Sequence, residues 1–325
     1  MYARKPNILI ITHCFPPLNK IGSLRTFSWA KYWSRLGYQI CILTTKKHRF
    51  DGQMNLKLNS FAIDRFRVVE VSYLPNIYIN THTSKSICTA HYGRWTVSPY
   101  VENIKRVVRR LRVHIGSLLD IHDLWILPAV CKAVQLHSTW PYEIIVSSYG
   151  PQASHIVAGI LKRLLNVFWV ADYRDLWWGN HVFPGTWPFS SIMKKMETYF
   201  VKKADLITVV SDPLKQILID RFEKKVVTIE NGFDTEELSD LETKDFFPKD
   251  GKVRLVYTGT IYPTKRDPSP LFEAINILRQ RNVNVDQALE VIFYGNDMGN
   301  LNELVNKYNV DNIVKTPGFV DRISS

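Results

Sequence analysis

The sequence predicts an α/β protein of parallel sheets covered by helices. Short β-rich apolar runs alternate with helical patterns along most of the chain. The first such alternation is a complete βαβ unit. A shift in composition then separates one long α/β series from a second, shorter one. At 325 residues the chain is long for one domain, and two are expected.

The first unit begins with a strand over 7–12 and a Pro/Gly loop. A helix follows, marked by Leu24, Phe27, Ala30, Trp33 and Leu36 at three-residue spacing. Gly37 ends it, and a second strand covers 39–44. Strand, helix and strand in that order imply a parallel pair. Further strands are expected at 66–71, 143–148, 167–171, 206–210 and 226–229. Helices are expected at 101–119, 153–165, 191–203 and 213–221. The stretch 234–250 holds seven acidic residues against two lysines, a net of −5, and reads as a solvated connection. Strands at 253–257, 289–294 and 313–316 and helices at 270–281 and 300–308 make the second series. The expected division is 1–233, the connection 234–250, and 251–325. So few βα units make a poor free-standing domain, and the second domain is expected to be incomplete.

Hydrophobic content of 46% and charged content of 22% are ordinary for a globular protein. The four cysteines are scattered without CxxC spacing, which points to reduced thiols in a cytoplasmic protein. No apolar run reaches the roughly 18–20 residues that span a bilayer. The formal net charge of +12 favours anionic partners. The helix expected at 101–119 carries Lys105, Arg106, Arg109, Arg110 and Arg112 opposite an apolar side. It reads either as a membrane-docking helix or as a solvated basic face. Nothing has the grammar of a nucleic-acid module.

Several segments have the composition of a ligand site. Gly22 and Ser23 precede the first helix, where a glycine lets a ligand approach and a helix N-terminus attracts anions. Arg25 adds a positive charge. The plain alternative is a glycine turn with Ser23 as N-cap. The loop lacks the GxGxxG dinucleotide fingerprint, which argues against an NAD enzyme. Asp172, Arg174 and Asp175, followed by Trp177 and Trp178, stand where a parallel strand ends, the usual place for a ligand. They read as carboxylates holding hydroxyls with tryptophans stacked on a sugar, or as a buried Asp–Arg pair with core tryptophans. Tyr149, Gly150 and Pro151 end another strand, and His155 lies one turn into the next helix. Gly259 follows the first strand of the second series, and Lys265 and Arg266 would clamp a diphosphate or form a solvated loop.

These segments, in this order, resemble glycosyltransferase family 4, the retaining GT-B enzymes. The resemblance rests on Phe15, Pro16 and Pro17 with Gly22 and Ser23; Asp123 and Trp125; Asp172 to Trp177; Val210 and Ser211; Asn231, Gly232 and Asp234; and Thr258 to Tyr262 with Lys265 to Pro268. It implies two Rossmann-like domains facing across a cleft. The second binds a UDP- or GDP-sugar and the first binds an acceptor, without a metal or other cofactor. Gly22, Ser23, Gly259, Lys265 and Arg266 would bind the donor. Tyr149, Trp177 and Arg25 would bind the acceptor, and Asp172, Arg174 and Asp175 would serve catalysis. By analogy the acceptor is lipid-linked and the product a surface polysaccharide made at the inner membrane face. The chain departs from the family at Thr260, where many relatives have arginine, and at Ser148 and Tyr149, where some have histidine. The family's paired glutamates fall beyond the last residue, so a non-catalytic binding fragment is the competing expectation.

Overall fold

The computed structural model describes residues 4–48, 51, 54, 66–74, 114–118, 120–180, 184–238, 247–261, 266–281, 283–295, 298–318 and 320. They form two compact units, Met1–Gly232 and Phe233–Ser325. The basic helix expected at 101–119 lies outside the described residues apart from 114–118.

The first unit is built on a seven-stranded sheet. Its strands are β1 (Asn7–Ile11), β2 (Gln39–Thr45), β3 (Arg67–Val71), β4 (Ile144–Ser148), β5 (Phe168–Tyr173), β6 (Leu206–Val209) and β7 (Val226–Thr228). The order is β3-β2-β1-β4-β5-β6-β7, and every pairing is parallel. The apolar runs are continuous because the central strands are buried on both faces. Along β1, Leu9 and Ile11 enter one core while Ile8 and Ile10 enter the other. Cys41 and Leu43 of β2 repeat the first set, and Ile40 and Ile42 the second.

Helix α1 (Ile21–Arg35) covers one face through Phe27 and Ala30. Helices α2 (Ile126–Thr139) and α3 (Ala153–Leu165) pack together on the other, with Trp125 and Trp169 fully buried beneath. Helices α4 (Phe189–Val201) and α5 (Asp212–Phe222) complete that layer.

Three local details differ from the sequence reading. Helix α1 starts at Ile21, so Lys20 is the N-cap and Gly22 and Ser23 lie inside the first turn. Strand β5 runs on through Asp172 and Tyr173, because their neighbours in β4 and β6 continue the ladder. Helix α2 was not expected. Its Pro128 sits in the first turn, where a missing N–H costs no hydrogen bond.

The second unit has a three-stranded parallel sheet of β8 (Val253–Thr258), β9 (Leu289–Tyr294) and β10 (Val314–Gly318) in the order β10-β9-β8. Helices α6 (Ser269–Gln280) and α7 (Leu301–Tyr308) supply Phe272, Ile275 and Leu301 to its core. Within the stretch expected as a connection, Thr235–Leu238 makes a single helical turn. No helix among the described residues is long and apolar enough to cross a membrane.

Candidate active site at the carboxyl ends of β1, β4 and β5

The strand order reverses between β1 and β4, which opens a crevice beyond their carboxyl ends. Three loops meet there: the one leading into α1, the Tyr149–Gly150 turn after β4, and the stretch after β5. The guanidinium of Arg174 lies between them. It donates to the Tyr149 carbonyl from Nε at 3.0 Å and Nη2 at 2.7 Å, and to the Gly150 carbonyl at 3.2 Å.

This side chain packs closely against two glycines. A Cβ on Gly22 would stand 1.8 Å from Arg174 Nη1, and one on Gly150 would stand 2.6 Å from Nη2. Gly150 also has φ +100°, which an L side chain rarely adopts. The close approach at Gly22 is therefore made by the protein's own arginine.

The surroundings of Arg174 are cationic. Helix α1 begins without a side-chain cap, so its first-turn amides present the positive end of the helix. Ser23 Oγ is buried there with no hydrogen-bond partner. Among the described residues, the hydrogen-bonding partners of Arg174 are two carbonyl oxygens and the Cys14 sulfur at 3.8 Å, none of them a carboxylate. Burial pushes the Cys14 thiol up, but Arg174 and His13 outweigh it and bring the thiol down to about 6. An anion entering this crevice would meet the Arg174 guanidinium and the first-turn amides of α1, beside the ionised Cys14 sulfur.

Asp172 is placed differently. Its side chain is fully buried at the end of β5. Arg25 grips both oxygens, at 2.8 Å and 3.1 Å. Ser148 and Thr208 donate hydroxyls to the same carboxylate at 3.1 Å and 2.8 Å. Arg25 donates its remaining hydrogens to the Ile229 and Glu230 carbonyls and the Asn231 side chain. All five of its N–H donors are thereby engaged. The pair holds α1, β5 and the segment 229–231 together and has no free valence for a substrate. Of the two readings open in the sequence, the buried Asp–Arg pair is the one this geometry has, with Arg25 in place of Arg174 as the partner. Asp175 is exposed beside the crevice.

The aromatic residues expected at the acceptor are core residues. Trp177 is 1% exposed and stacks on Tyr149 with ring centres 6.2 Å apart. Tyr149 stacks on Tyr173 at 5.9 Å, and burial pushes its phenol well up. Neither ring has a free face for a sugar, because the β5 strand end draws both under the loop. His155 is fully buried and bonds Ser147 Oγ through Nδ1 at 2.8 Å. Burial lowers it to about 3, so it is neutral.

In the second unit, Gly259 ends β8 with φ +153°, and its carbonyl lies against Gly295 at the end of β9. Arg266 bonds the Tyr257 hydroxyl at 3.1 Å. Gly259, Thr260 and Arg266 thus gather at the carboxyl end of β8. Lys265 lies outside the described residues.

Residues 87–237 match the model of Glycosyltransferase Family 4. No curated protein sequence matches the chain. Among solved structures, the N-terminal domain of Candida albicans trehalose-6-phosphate phosphatase is 13% identical, over 100% of this chain and 75% of its own, with a TM-score of 0.58. The catalytic domain of starch synthase IV from Arabidopsis thaliana, bound to ADP and acarbose, is 10% identical over 98% and 75%, with a TM-score of 0.55. A UDP-N-acetylglucosamine 2-epimerase is 12% identical over 98% and 70%, with a TM-score of 0.50. At these identities the likeness is one of fold, and the fold is GT-B.

Proposed function

We propose that this chain, whose residues 87–237 match the model of Glycosyltransferase Family 4, transfers a sugar from a UDP- or GDP-sugar to a lipid-linked glycan acceptor. The observation that carries this reading is the Arg174 guanidinium resting on Gly22 beside the uncapped start of α1. Breaking the anomeric C–O bond of a nucleotide sugar leaves a diphosphate on which negative charge grows. Fixed cations and backbone N–H groups lower the barrier by stabilising that charge. Arg174 and the first turn of α1 supply such groups in the first unit, and by sequence Lys265 and Arg266 are the candidate diphosphate clamp of the second. Transfer with retention on the donor face asks for no strong base and no metal. In this reading Asp175, exposed and next to Arg174 in the sequence, holds a sugar or acceptor hydroxyl. The net charge of +12 and the basic run at 101–119 suit an acceptor carried in an anionic membrane at its cytoplasmic face, as in surface polysaccharide synthesis.

Calorimetric titration of the chain with UDP, GDP and their sugars, without metal, tests this reading. One nucleotide should bind selectively. Lys265→Ala with Arg266→Ala, and separately Arg174→Ala, should each weaken binding at least about tenfold, the loss of roughly 1.4 kcal/mol. Unchanged donor affinity in these variants would sink the diphosphate assignment. Thr260, standing where many family members have arginine, favours the second reading, a chain that binds nucleotide without turnover. Donor binding with no release of free nucleotide in the presence of lipid-linked acceptors would select it.

A further inference from the structure

A second cluster of chemistry-bearing side chains lies at the carboxyl ends of β1, β2 and β3, and the proposed transfer does not use it. His13 follows β1, Asp51 follows β2, Tyr73 follows β3, and His122 lies in the 3-10 turn Ile121–Trp125 that leads into α2. We propose that His13, Asp51 and His122 form a binding site for one zinc ion or a similar divalent d-block metal.

One ligand atom from each of the three lies within 4.8 Å of the others. His13 Nε2 is 2.9 Å from Asp51 Oδ1, and His122 Nε2 is 3.4 Å from the same oxygen. Ligands held about 2.0–2.1 Å from a tetrahedral zinc stand about 3.3 Å apart, so both separations are close to edges of its coordination shell. The Tyr73 hydroxyl, 2.8 Å from Asp51 Oδ1 and 3.0 Å from His13 Nε2, is near a fourth vertex.

Three further features point to a cation at the centre. Three polar groups crowd onto one carboxylate oxygen, which has only two lone pairs to offer. The buried His122 Nε2 satisfies no hydrogen bond, although it faces that oxygen. The opposite nitrogen, Nδ1, is held by the Asp120 carboxylate. A carboxylate behind a histidine is the usual support of a metal-ligating imidazole, because it fixes the ring and raises its basicity. The other Asp51 oxygen is fixed by the His48 amide at 2.7 Å. Two carboxylates, Asp51 and Asp120, balance the two charges of the ion. His13 and Asp51 are 1% and 0% exposed, so the ion would tie three loops beneath the crevice rather than meet substrate.

The test uses the whole chain, purified without a polyhistidine tag and stripped with a chelator. Zinc should bind once per chain and raise the melting temperature. Cobalt should give the visible bands of a tetrahedral site without thiolate charge transfer. His122→Gln should abolish both effects. Asp120→Asn, which leaves every ligand in place, should weaken zinc roughly 10–100-fold. The proposal is overturned if the folded wild-type chain takes up no stoichiometric zinc, or if its metal binding is unchanged in His122→Gln. The wild-type titration decides even where a variant fails to fold.

Discussion

At the scale of single residues, the burial of Asp172 governs what the β5 end can do. A carboxylate with four donors and no exposed surface is held by the fold. Removing it strands the guanidinium of Arg25, whose side chain is 4% exposed, among carbonyls. Asp172→Ala should therefore cost about 3–5 kcal/mol, read from urea unfolding. Asp172→Leu combined with Arg25→Met should recover much of that loss, because the desolvation cost of both charges goes with them. A loss below about 1 kcal/mol in the single variant would return Asp172 to the list of groups free for catalysis. The sequence placed Asp172 and Arg174 at a strand end, which was legible from the apolar run before them. It could not assign the partners. Arg25 and Asp172 are 147 residues apart, and only the parallel order of β1, β4 and β5 brings them together. The His13–Asp51–His122 set was missed for the same reason. Metal spacing was sought among cysteines, while these ligands come from three separate loops.

At the scale of elements, helix ends were the least legible part of the chain and carry a clear consequence. Among the described residues, three helices close with a non-glycine residue in the left-handed region: Asn166 after α3, Glu223 after α5 and Asn309 after α7. Asparagine is a common residue there, since its short polar side chain tolerates φ near +50°. Glutamate is not. Glu223 is exposed, and its amide bonds the Ile219 carbonyl at 2.8 Å, so the backbone is held in the strained conformation. Glu223→Gly should stabilise the first unit by about 0.5–1 kcal/mol, measured as a higher urea midpoint. No gain would mean that the side chain makes a compensating contact. The apolar periodicity that located α1, α3 and α5 reports packing and is silent on such ends. That is also why α1 was read three residues short. Its first turn carries Gly22 and Ser23, whose small side chains break the pattern while serving the Arg174 crevice.

At the scale of the whole molecule, the two units differ in how much apolar surface they bury. The first has cores on both faces of a seven-stranded sheet. The second has one modest cluster, and its edge strand β8 leaves Val253, Leu255 and Val256 between 41% and 61% exposed. Smaller cores bury a smaller fraction of their surface and are less stable. The sequence supplies a means of watching the units separately. All nine tryptophans lie before residue 233, so indole fluorescence reports the first unit alone. Far-ultraviolet circular dichroism reports the helices and strands of both. In urea, part of the dichroism should therefore be lost at a lower concentration than any change in fluorescence, the lost part reflecting α6, α7 and β8 to β10. Two-state unfolding requires the probes to coincide. Coincident curves would mean that Phe233–Ser325 draws its stability from the first unit and does not unfold on its own. Separated curves would mean that the second unit has an independent and weaker fold. In that case, if the second unit holds the donor as proposed, a nucleotide sugar should raise the early transition selectively, by RT ln(1 + [L]/Kd), and leave the fluorescence midpoint in place.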